Sequence, residues 1–314
     1  YLIDYSNLKD GLIKNQNNFV DKKKLDFFLK NDYLGIPLLL PEKDNCLKKK
    51  GKKFNIDMDV IRDKIFFSDK NYPPFKNFFK LGYNFYSDGI PKKKYHSVVK
   101  KISEINLKTK TLINFYKKKG KLVGSLQTRN IPHFGHEKII ELLLKKCDIV
   151  FINPVIGPKK KGDISTKKLC DIYNFFVSSS NNKRIVFSPI CANMFYAGPR
   201  EAVHHALLRQ SFGFDYFIVG RDHAGAHNQY KKSSAVNLIK KIKNKINIKV
   251  ITHKGAAYCK ICNKTQIIGN CNHPNSSFDN ISGTVFRDHL RSKKIYKYAN
   301  YELQKYIHKN NIRI

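Results

Sequence analysis

From about residue 119 onward, short apolar runs alternate along the chain with longer segments whose apolar residues recur at helical spacing. The apolar runs lie at 122–126, 148–152, 185–190, 216–219 and 248–251. The helix-like segments lie at about 136–146, 166–177, 199–211 and 233–245. This alternation is typical of a parallel β-sheet whose two faces are both covered by helices. The pattern therefore predicts an α/β fold with a doubly wound parallel sheet.

Proline and glycine mark the ends of the third predicted helix. Pro199 lies near its first position and Gly213 lies just past its last turn. In an open α/β sheet, ligands bind beyond the carboxyl ends of the strands. Three polar stretches, Gln127–His136, Asn193–Arg200 and Gly220–Gly225, each follow a predicted strand. We therefore expect all three to converge on one edge of the sheet.

The first of these polar stretches lies on a predicted strand-to-helix turn. A helix N-terminus offers unpaired N–H groups and a partial positive charge, and α/β proteins often hold a phosphate there. His133 and His136 add two side-chain donors, and Gly135 lets a ligand approach the backbone closely. Two neighbouring histidines at a helix start are also often caps or surface residues. The pattern H-x-G-H alone is therefore a signal of only moderate specificity.

The whole stretch, Q-T-R-N-x-P-H-x-G-H, resembles the signature of the ATP sulfurylase family, whose members are also called sulfate adenylyltransferases. Two further blocks, Tyr196–Ala206 and Gly220–Gly225, are similar to the second and third motifs of that family, in the same order. Ile281–Thr284, together with Arg287, resembles its last block. Three blocks in family order make a joint coincidence improbable, although each has an ordinary structural explanation by itself.

The resemblance covers roughly residues 120 to 290 and weakens on either side. It implies a Rossmann-like sheet of the nucleotidyltransferase type in a catalytic domain at 119–275, which would include the cysteine-rich loop. It also implies a β-rich, PUA-like N-terminal domain at 1–118, shorter than in other family members, and a small C-terminal helical segment at 276–314. Short apolar runs broken by proline in the first segment agree with short strands joined by loops.

The resemblance implies the reversible reaction of ATP with sulfate to give adenosine 5′-phosphosulfate and pyrophosphate. In this reaction sulfate attacks the α-phosphorus of ATP in line. Sulfate is already ionised, so the site needs no general base; it must bring two anions together and neutralise the charge that moves onto pyrophosphate. The motifs contain cationic and amide donors and no candidate side-chain nucleophile. No carboxylate cage is visible, so Mg²⁺ is expected to arrive with ATP.

By resemblance, each motif residue receives a role. The sulfate oxygens would be held by Gln127, Arg129, Arg200 and the backbone at Ala202. The residues that stabilise the transition state would be Arg129, Asn130, His133, His136 and Arg200. The nucleotide would be bound by Gln127, Asn130, His133, His136, Gly220, Arg221, Asp222 and His223. Arginine suits a tetrahedral oxyanion because its planar fork donates two parallel hydrogen bonds.

Ordinary structural roles remain open for part of the second block. Arg200 and Glu201 could form a first-turn ion pair, and at least one of His204 and His205 is expected to be a packing residue. The chain also departs from the family, because Phe195 stands where the family usually has arginine. This change removes one cation from the region of the site. We expect activity to survive, since two other arginines remain.

A cluster of possible metal ligands follows the last predicted strand of the sheet. Cys259, Cys262, Cys271 and His273 form a C-x-x-C pattern followed by C-x-H. Three thiolates and one imidazole complete a tetrahedral zinc site, so the spacing predicts zinc. Many prokaryotic family members are similar here, which implies structural Zn²⁺. The spacing before the fourth ligand varies among such sequences, and buried or free thiols remain the alternative.

Composition adds little to this interpretation. The net charge of +36 would suit nucleic acid, but the lysines are spread along all 314 residues and agree with the composition bias of an AT-rich genome. Seven cysteines are too few for a disulfide scaffold, which favours a reducing, cytoplasmic compartment. No apolar run approaches the roughly 18 residues of a membrane span, and Tyr1 opens no signal-peptide pattern. Neither nucleic acid nor a membrane is therefore expected as partner.

Two other functions remain open. Another H-x-G-H nucleotidyltransferase would explain His133 and His136 but would leave the Arg200 and Arg221 blocks unused. A basic, zinc-containing nucleic-acid-binding protein would explain the charge and the cysteines. The leading hypothesis is a sulfate adenylyltransferase of sulfur metabolism, acting in sulfate assimilation or in the reverse direction. Its partners would be ATP, sulfate, adenosine 5′-phosphosulfate and pyrophosphate, with a homodimer as a possible assembly.

Overall fold

The computed structural model describes residues 1–80, 82–158, 164–221, 223 and 229–312. Before residue 119 its elements are α1 (Leu2–Lys9), α2 (Lys22–Lys30), β1 (Leu40–Pro41), β2 (Leu47–Lys49), β3 (Lys53–Asn55), α3 (Met58–Ile61), α4 (Pro73–Phe79), β4 (Asn84–Tyr86), β5 (Gly89–Pro91) and α5 (His96–Lys118). Shorter helical turns lie at Asp32–Leu34, Arg62–Phe66 and Lys93–Tyr95. The strands form two small antiparallel sheets, β1-β4-β3 and β2-β5.

The prediction of a β-rich segment at 1–118 was wrong, because the described part of this segment has far more residues in helices than in strands. Helix α5 shows why the pattern was missed. Its buried face contains Asn106 and Thr109 between Ile102 and Ile113, at helical spacing. The amide of Asn106 donates to the carbonyl of Cys191 at 2.9 Å and accepts from its N–H at 2.8 Å. Buried polar residues with such partners conceal an amphipathic helix from an analysis based on apolar residues.

The central elements are β6 (Val123–Leu126), α6 (Phe134–Leu144), β7 (Ile149–Ile152), β8 (Val155–Ile156), α7 (Thr166–Ser179), β9 (Ile185–Phe187), β10 (Ile190–Cys191), α8 (Gly198–Phe212), β11 (Tyr216–Val219), α9 (Ser234–Ile242) and β12 (Lys249–Thr252). Five of the strands form a parallel sheet in the order β12-β11-β6-β7-β9. Strands β8 and β10 form a separate parallel pair. The predicted strands and helices, and the predicted parallel sheet, are confirmed.

Residues within each central strand alternate between the two faces of the sheet, as a fully covered parallel sheet requires. Phe217 and Val219 join a core cluster that includes residues of α1, α5, α8 and α9. Ile218, between them, joins a second cluster that includes residues of α6 and α7. In β7, Phe151 belongs to the first cluster and Ile152 to the second. The sheet is therefore doubly wound, with helices on both faces.

The amino-terminal segment packs directly on this sheet and on α8. Leu12, Leu40 and Ile113 belong to the same cluster as Phe217. Helix α8 lies in the middle of this cluster, and nearly all of its residues are buried. Its ends follow the prediction, since a proline lies in its first turn and Gly213 closes it with φ 101°. Residues on both sides of the predicted 118/119 boundary therefore share one core.

The last elements are β13 (Ala256–Cys259), β14 (Lys264–Ile267), β15 (Phe278–Asn280), α10 (Gly283–Arg291) and α11 (Tyr301–Lys309), with short 3-10 turns at Lys243–Lys245 and Asn275–Ser277. The three strands form an antiparallel sheet in the order β14-β13-β15. The small C-terminal helical segment that the resemblance implied is present, and its helices bury Leu290, Leu303 and Ile307 against the second core cluster. None of the helices in the described ranges is long and apolar enough to span a membrane.

The approach of the amino-terminal segment to α8 gives a stability prediction. Gly35 has φ +76°, and a Cβ built on it would lie 2.8 Å from the Cα of His204. Gly120 has a similar φ of +69° with nothing within 4 Å of the corresponding Cβ. Gly120→Ala should cost about 1 kcal/mol of backbone strain. Gly35→Ala should cost about 1–3 kcal/mol more, because backbone must move as well.

Urea unfolding of both variants measures the difference. Equal losses in the two proteins would show that the contact between Gly35 and α8 does not constrain the fold.

Candidate active site

A cavity of about 330 Å³ lies beyond the carboxyl ends of β6 and β11, between which the strand order of the sheet reverses. Ligands bind at this point in doubly wound sheets. The cavity is lined by Leu126, Gln127, Thr128, Arg129, Asn130, His136, Ile139, Val155, Met194, Tyr196, Ile218, Gly220, His223 and His253. Six predicted site residues are therefore brought together, from two of the motif stretches.

The N-terminus of α6 is capped by the two histidines of the H-x-G-H pattern. The Nδ1 atom of His133 accepts the N–H of Gly135 at 3.1 Å, and Nδ1 of His136 accepts the N–H of His133 at 3.4 Å. In a neutral imidazole the other nitrogen then carries the proton. The Nε2–H of His136 donates to Thr128 Oγ1 at 3.1 Å. Capping and a functional role are thus compatible, because His133 keeps its Nε2–H as a donor.

Burial keeps these imidazoles neutral. It lowers the pKa of His133 to about 4 and the pKa of His136 well below the ordinary value. It likewise lowers the pKa of His223 to about 3 and that of His253 to about 4, with neighbouring positive charges acting in the same direction. A neutral imidazole donates a hydrogen bond without adding a full charge. The cavity therefore combines neutral donors with the cation of Arg129.

Asn130 is fixed from two sides. Its side-chain oxygen accepts from the guanidinium of Arg287 at 3.1 Å, and its backbone carbonyl accepts from the hydroxyl of Tyr173 at 2.8 Å. A Cβ on Gly283 would lie 3.2 Å from the Asn130 Cγ, so a side chain there would crowd the amide. The block Ile281–Thr284 therefore contacts the first motif directly. Because its oxygen is engaged, Asn130 has its amide nitrogen available as a donor.

Arg200 does not line this cavity, and its role in sulfate binding or catalysis stays a prediction that the geometry does not support. Its Nε donates to the carbonyl of Gly35 at 2.9 Å, and its Nη2 donates to the carbonyl of Phe28 at 2.8 Å. The side chain is 1% exposed, and burial lowers its pKa to about 10. The physical reason is its position on α8, where it faces the amino-terminal segment. Arg200 holds that segment to the helix.

Ala202 also does not line the cavity. It is the fifth residue of α8 and is fully buried among apolar side chains. An N–H at this position bonds to the carbonyl four residues earlier in the helix, so it is not available to an anion. Sulfate binding by this backbone group stays a prediction, and the helix geometry does not support it.

Glu201, which follows Arg200, points in the opposite direction. Its two carboxylate oxygens accept the N–H groups of Phe195 and Ala197, each at 2.8 Å. These bonds fix the turn in which Tyr196 adopts a left-handed φ of 56°. The ring of Tyr196 lies 5.6 Å from the guanidinium of Arg129. Burial raises the pKa of Glu201 to about 7, although the two N–H donors and the charge of Arg129 act against that rise.

A buried chain of polar contacts runs from Glu201 to the cavity wall. Oε1 of Glu201 lies 3.4 Å from Nε2 of His205. Nδ1 of His205 lies 3.1 Å from Nε2 of Gln127 and 3.0 Å from Nε2 of His223. His204, by contrast, meets the ring of Phe195 edge to face at 5.9 Å. Of the two adjacent histidines, His204 is the packing residue.

Arg221 and Asp222 were also predicted to bind the nucleotide. Arg221 does not line the cavity, but its charge lowers the pKa of His253, which does. The backbone carbonyl of Arg221 accepts the N–H of Ser233 at 3.1 Å, which ties the loop to the start of α9. Asp222 lies outside the described residues.

Sequence reasoning missed several residues of the cavity. His253 follows β12 and accepts the N–H of Gly255 at its Nδ1, 3.1 Å away. Its ring packs against Gly220, where a Cβ would lie 3.2 Å from Nε2. A polar residue directly after the fifth apolar run was the available signal. Met194 and Tyr196 lie in the stretch Asn193–Arg200, which was expected to reach this edge of the sheet. Neither was singled out as a site residue, because apolar and aromatic residues occur throughout the core.

Phe195 turns away from the cavity. Its ring packs against Phe78 at 6.3 Å and lies with Tyr1, Asp4 and Asn193 around a separate cavity. A side chain at this position therefore points toward α4. Phe195 therefore contributes to the packing of the amino-terminal segment there.

The predicted metal ligands come together. The ligand atoms of Cys259, Cys262, Cys271 and His273 all lie within 4.8 Å of one another. Nδ1 of His273 is 3.2 Å from the sulfur of Cys259 and 3.3 Å from that of Cys262. Three thiols and one imidazole are the donor set of a structural zinc site. The cluster could therefore hold a metal ion.

A family model for ATP-sulfurylase matches residues 105–297. The chain belongs to the ATP-sulfurylase family. It is 38% identical to a sulfate adenylyltransferase of Ignicoccus hospitalis over 185 residues, which is 59% of this chain and 48% of that protein. It is 32% identical to a sulfate adenylyltransferase of Thermococcus onnurineus over 237 residues, 74% of this chain and 62% of that protein.

The chain spans about half the length of the first of these curated relatives. Among solved structures it is similar to one titled hexameric APS kinase from Thiobacillus denitrificans, with a TM-score of 0.63 and 13% identity. That likeness covers 98% of this chain and 61% of the other. At this identity the likeness concerns the fold alone.

The buried neutral histidines give a prediction about pH. Burial lowers the pKa of His204 to about 4, below the value of about 6.5 in an unfolded chain. The unfolded state therefore binds the extra proton first, and stability falls as the pH drops from about 6.5 toward 4. Replacing His204 by leucine should remove up to about 1.4 kcal/mol per pH unit of that dependence.

Unfolding free energies of the wild type and of His204→Leu, measured between pH 7.5 and 4.5, provide the test. The packing cost of the substitution is the same at every pH, so only the slope matters. Parallel curves would mean that His204 is protonated equally easily in both states.

Proposed function

We propose that this chain performs the sulfate adenylyltransferase reaction, the reversible conversion of ATP and sulfate to adenosine 5′-phosphosulfate and pyrophosphate. One observation carries the proposal. Gln127, Arg129, Asn130 and His136 of the first motif line one cavity with Gly220 and His223 of the third, at the point where the strand order reverses. Family membership supports the same reaction.

The geometry suits a reaction between two anions. Arg129 supplies a guanidinium, which binds a tetrahedral oxyanion through two parallel hydrogen bonds. The amides of Gln127 and Asn130 line the cavity and add donors without charge. His133 does not line the cavity, so its Nε2–H would have to reach the ligand from the start of α6. These groups are held before the substrates bind, so little energy is spent on arranging them as charge moves onto pyrophosphate. No side chain needs to remove a proton, since sulfate is already ionised.

We assign the second cation of the site to Arg221 in place of Arg200. Arg200 is committed to the carbonyls of Gly35 and Phe28, whereas the charge of Arg221 acts on His253 at the cavity wall. Sulfate would then be held by Gln127 and Arg129 on one side, with Arg221 reaching the ligands from the loop after β11. Mg²⁺ would enter as the complex with ATP and offset the charge of the triphosphate.

The contrast between two arginines tests the proposal. Arg129→Met should lower kcat/KM for ATP formation from adenosine 5′-phosphosulfate, pyrophosphate and Mg²⁺ by about 100-fold, since it removes a charge that faces the transition state. Its unfolding free energy should change by less than about 1 kcal/mol. Arg200→Met should instead lose about 2–4 kcal/mol of stability, because it leaves two buried carbonyls without donors.

Wild-type protein that is folded and metal-replete but forms no ATP would rule out the proposed reaction. A folded Arg200→Met protein with a selective loss of sulfate affinity would return that residue to the site.

The Cys259 to His273 cluster is proposed to hold structural Zn²⁺. The ligand atoms of three cysteines and one histidine already lie together, and such a set binds Zn²⁺ and links metal binding to folding. Elemental analysis should find about one zinc per chain. Cys271→Ser should lose the metal and lower the melting temperature by roughly 5–10 °C.

Cys46→Ser is the matched control, since Cys46 is also half-buried and lies outside the cluster. Zinc content and melting temperature should both stay at the wild-type values in that variant. Full metal content in Cys271→Ser would exclude Cys271 as a ligand.

A further inference from the structure

We propose that His205, held by Glu201, is a positioning residue that orients the amide of Gln127 toward the anion. The inference rests on the proposed function, because it concerns the sulfate side of that site. The sequence analysis assigned no role in the reaction to His205 or to Glu201. Glu201 and His205 are fully buried, and their contacts connect the middle of α8 to the cavity wall.

Glu201 determines which nitrogen of His205 carries the proton. Both oxygens of Glu201 accept backbone N–H groups, at 2.8 Å each. Burial raises the pKa of this carboxyl group to about 7, so above pH 7 it is mostly ionised and acts as an acceptor. Nε2 of His205 faces Oε1 of Glu201 at 3.4 Å. Two acceptors facing each other would repel, so the proton lies on Nε2. In the neutral imidazole Nδ1 is then the acceptor.

An acceptor at Nδ1 fixes the amide of Gln127. The nearest atom of that amide is Nε2, 3.1 Å from Nδ1 of His205. If the oxygen of Gln127 turned toward His205, two acceptors would meet in a buried site, which is costly. One N–H of the amide therefore donates to His205. The second N–H remains available for an oxyanion in the cavity that Gln127 lines.

The other side of the amide provides no competing anchor. The Oε1 atom of Gln127 is buried and has no hydrogen-bond partner among the described residues. The remaining contact of Nε2 is with the sulfur of Met194 at 3.9 Å, and sulfur is a weak acceptor. His223 shares the Nδ1 lone pair of His205 at 3.0 Å. His205 is thus the principal group that determines which way the Gln127 amide points.

The adjacent histidine offers a matched control. His204 is buried on the same helix, packs against Phe195, and has no hydrogen bond to Gln127 in the described part of the chain. His205→Leu should raise the KM for sulfate in pyrophosphate release by about tenfold, because the amide loses its anchor. The Kd of α,β-methylene-ATP, measured by calorimetry, should rise much less. His204→Leu should leave the ratio of these two constants at the wild-type value.

Two further variants test whether His205 acts through the amide of Gln127. His205→Asn keeps an acceptor near the position of Nδ1 and should recover most of the sulfate affinity. In a Gln127→Ala background, His205→Leu should cause no additional loss, since there is no amide left to orient. Sulfate binding in the presence of α,β-methylene-ATP gives the same comparison without turnover, and melting curves identify variants that do not fold.

The outcomes separate the two proposals. A wild type that neither turns over nor binds sulfate would contradict the proposed function. An active wild type would instead contradict the role of His205 if His205→Leu and His204→Leu behaved alike, or if His205→Leu reduced sulfate affinity equally with and without Gln127.

Discussion

The structure depends on the burial of α8 between the sheet and the amino-terminal segment. Because almost every direction around this helix is protein, each of its polar side chains must find a partner within the fold. Arg200 reaches carbonyls of the amino-terminal segment, and Glu201 reaches the turn that contains Tyr196. His205 contacts Gln127, and Arg209 donates to the carbonyl of Asn153 at 3.1 Å. The helix therefore couples the outer segment, the sheet and the cavity.

Burial of the imidazoles around the cavity determines the electrostatics of the site. Removing imidazoles from water disfavours their charged form, so His133, His223 and His253 remain neutral at physiological pH. Positive charge in the cavity is then concentrated on arginine, whose pKa is too high for burial to remove its proton near pH 7. Charge-assisted hydrogen bonds are stronger in such surroundings than in water. A site built in this way favours anions while limiting repulsion among its own groups.

The sequence was sufficient for the sheet, because strands buried on both faces read as apolar runs and their polar continuations must meet at one edge. It also predicted that Gln127, Arg129, Asn130 and His136 would lie together, because the first three directly follow β6 and His136 lies in the first turn of the next helix. It was insufficient for Arg200, because a residue near a helix start can face either side, and the rotation of α8 depends on its tertiary contacts. Helix α5 was missed for a related reason, since Asn106 and Thr109 replace apolar residues on its buried face.

The cysteine cluster is connected to the cavity through the backbone at both of its ends. His253 lines the cavity and precedes β13, which ends at Cys259. Cys259 pairs with Phe278 of β15, and that strand leads within three residues to Gly283, against which the Asn130 amide packs. A metal that ordered this antiparallel sheet would restrict the loops on both sides of it. The cluster would thereby support two walls of the cavity without contacting a substrate. Metal ligands that lie far from the reacting atoms can in this way stabilise the shape of the site.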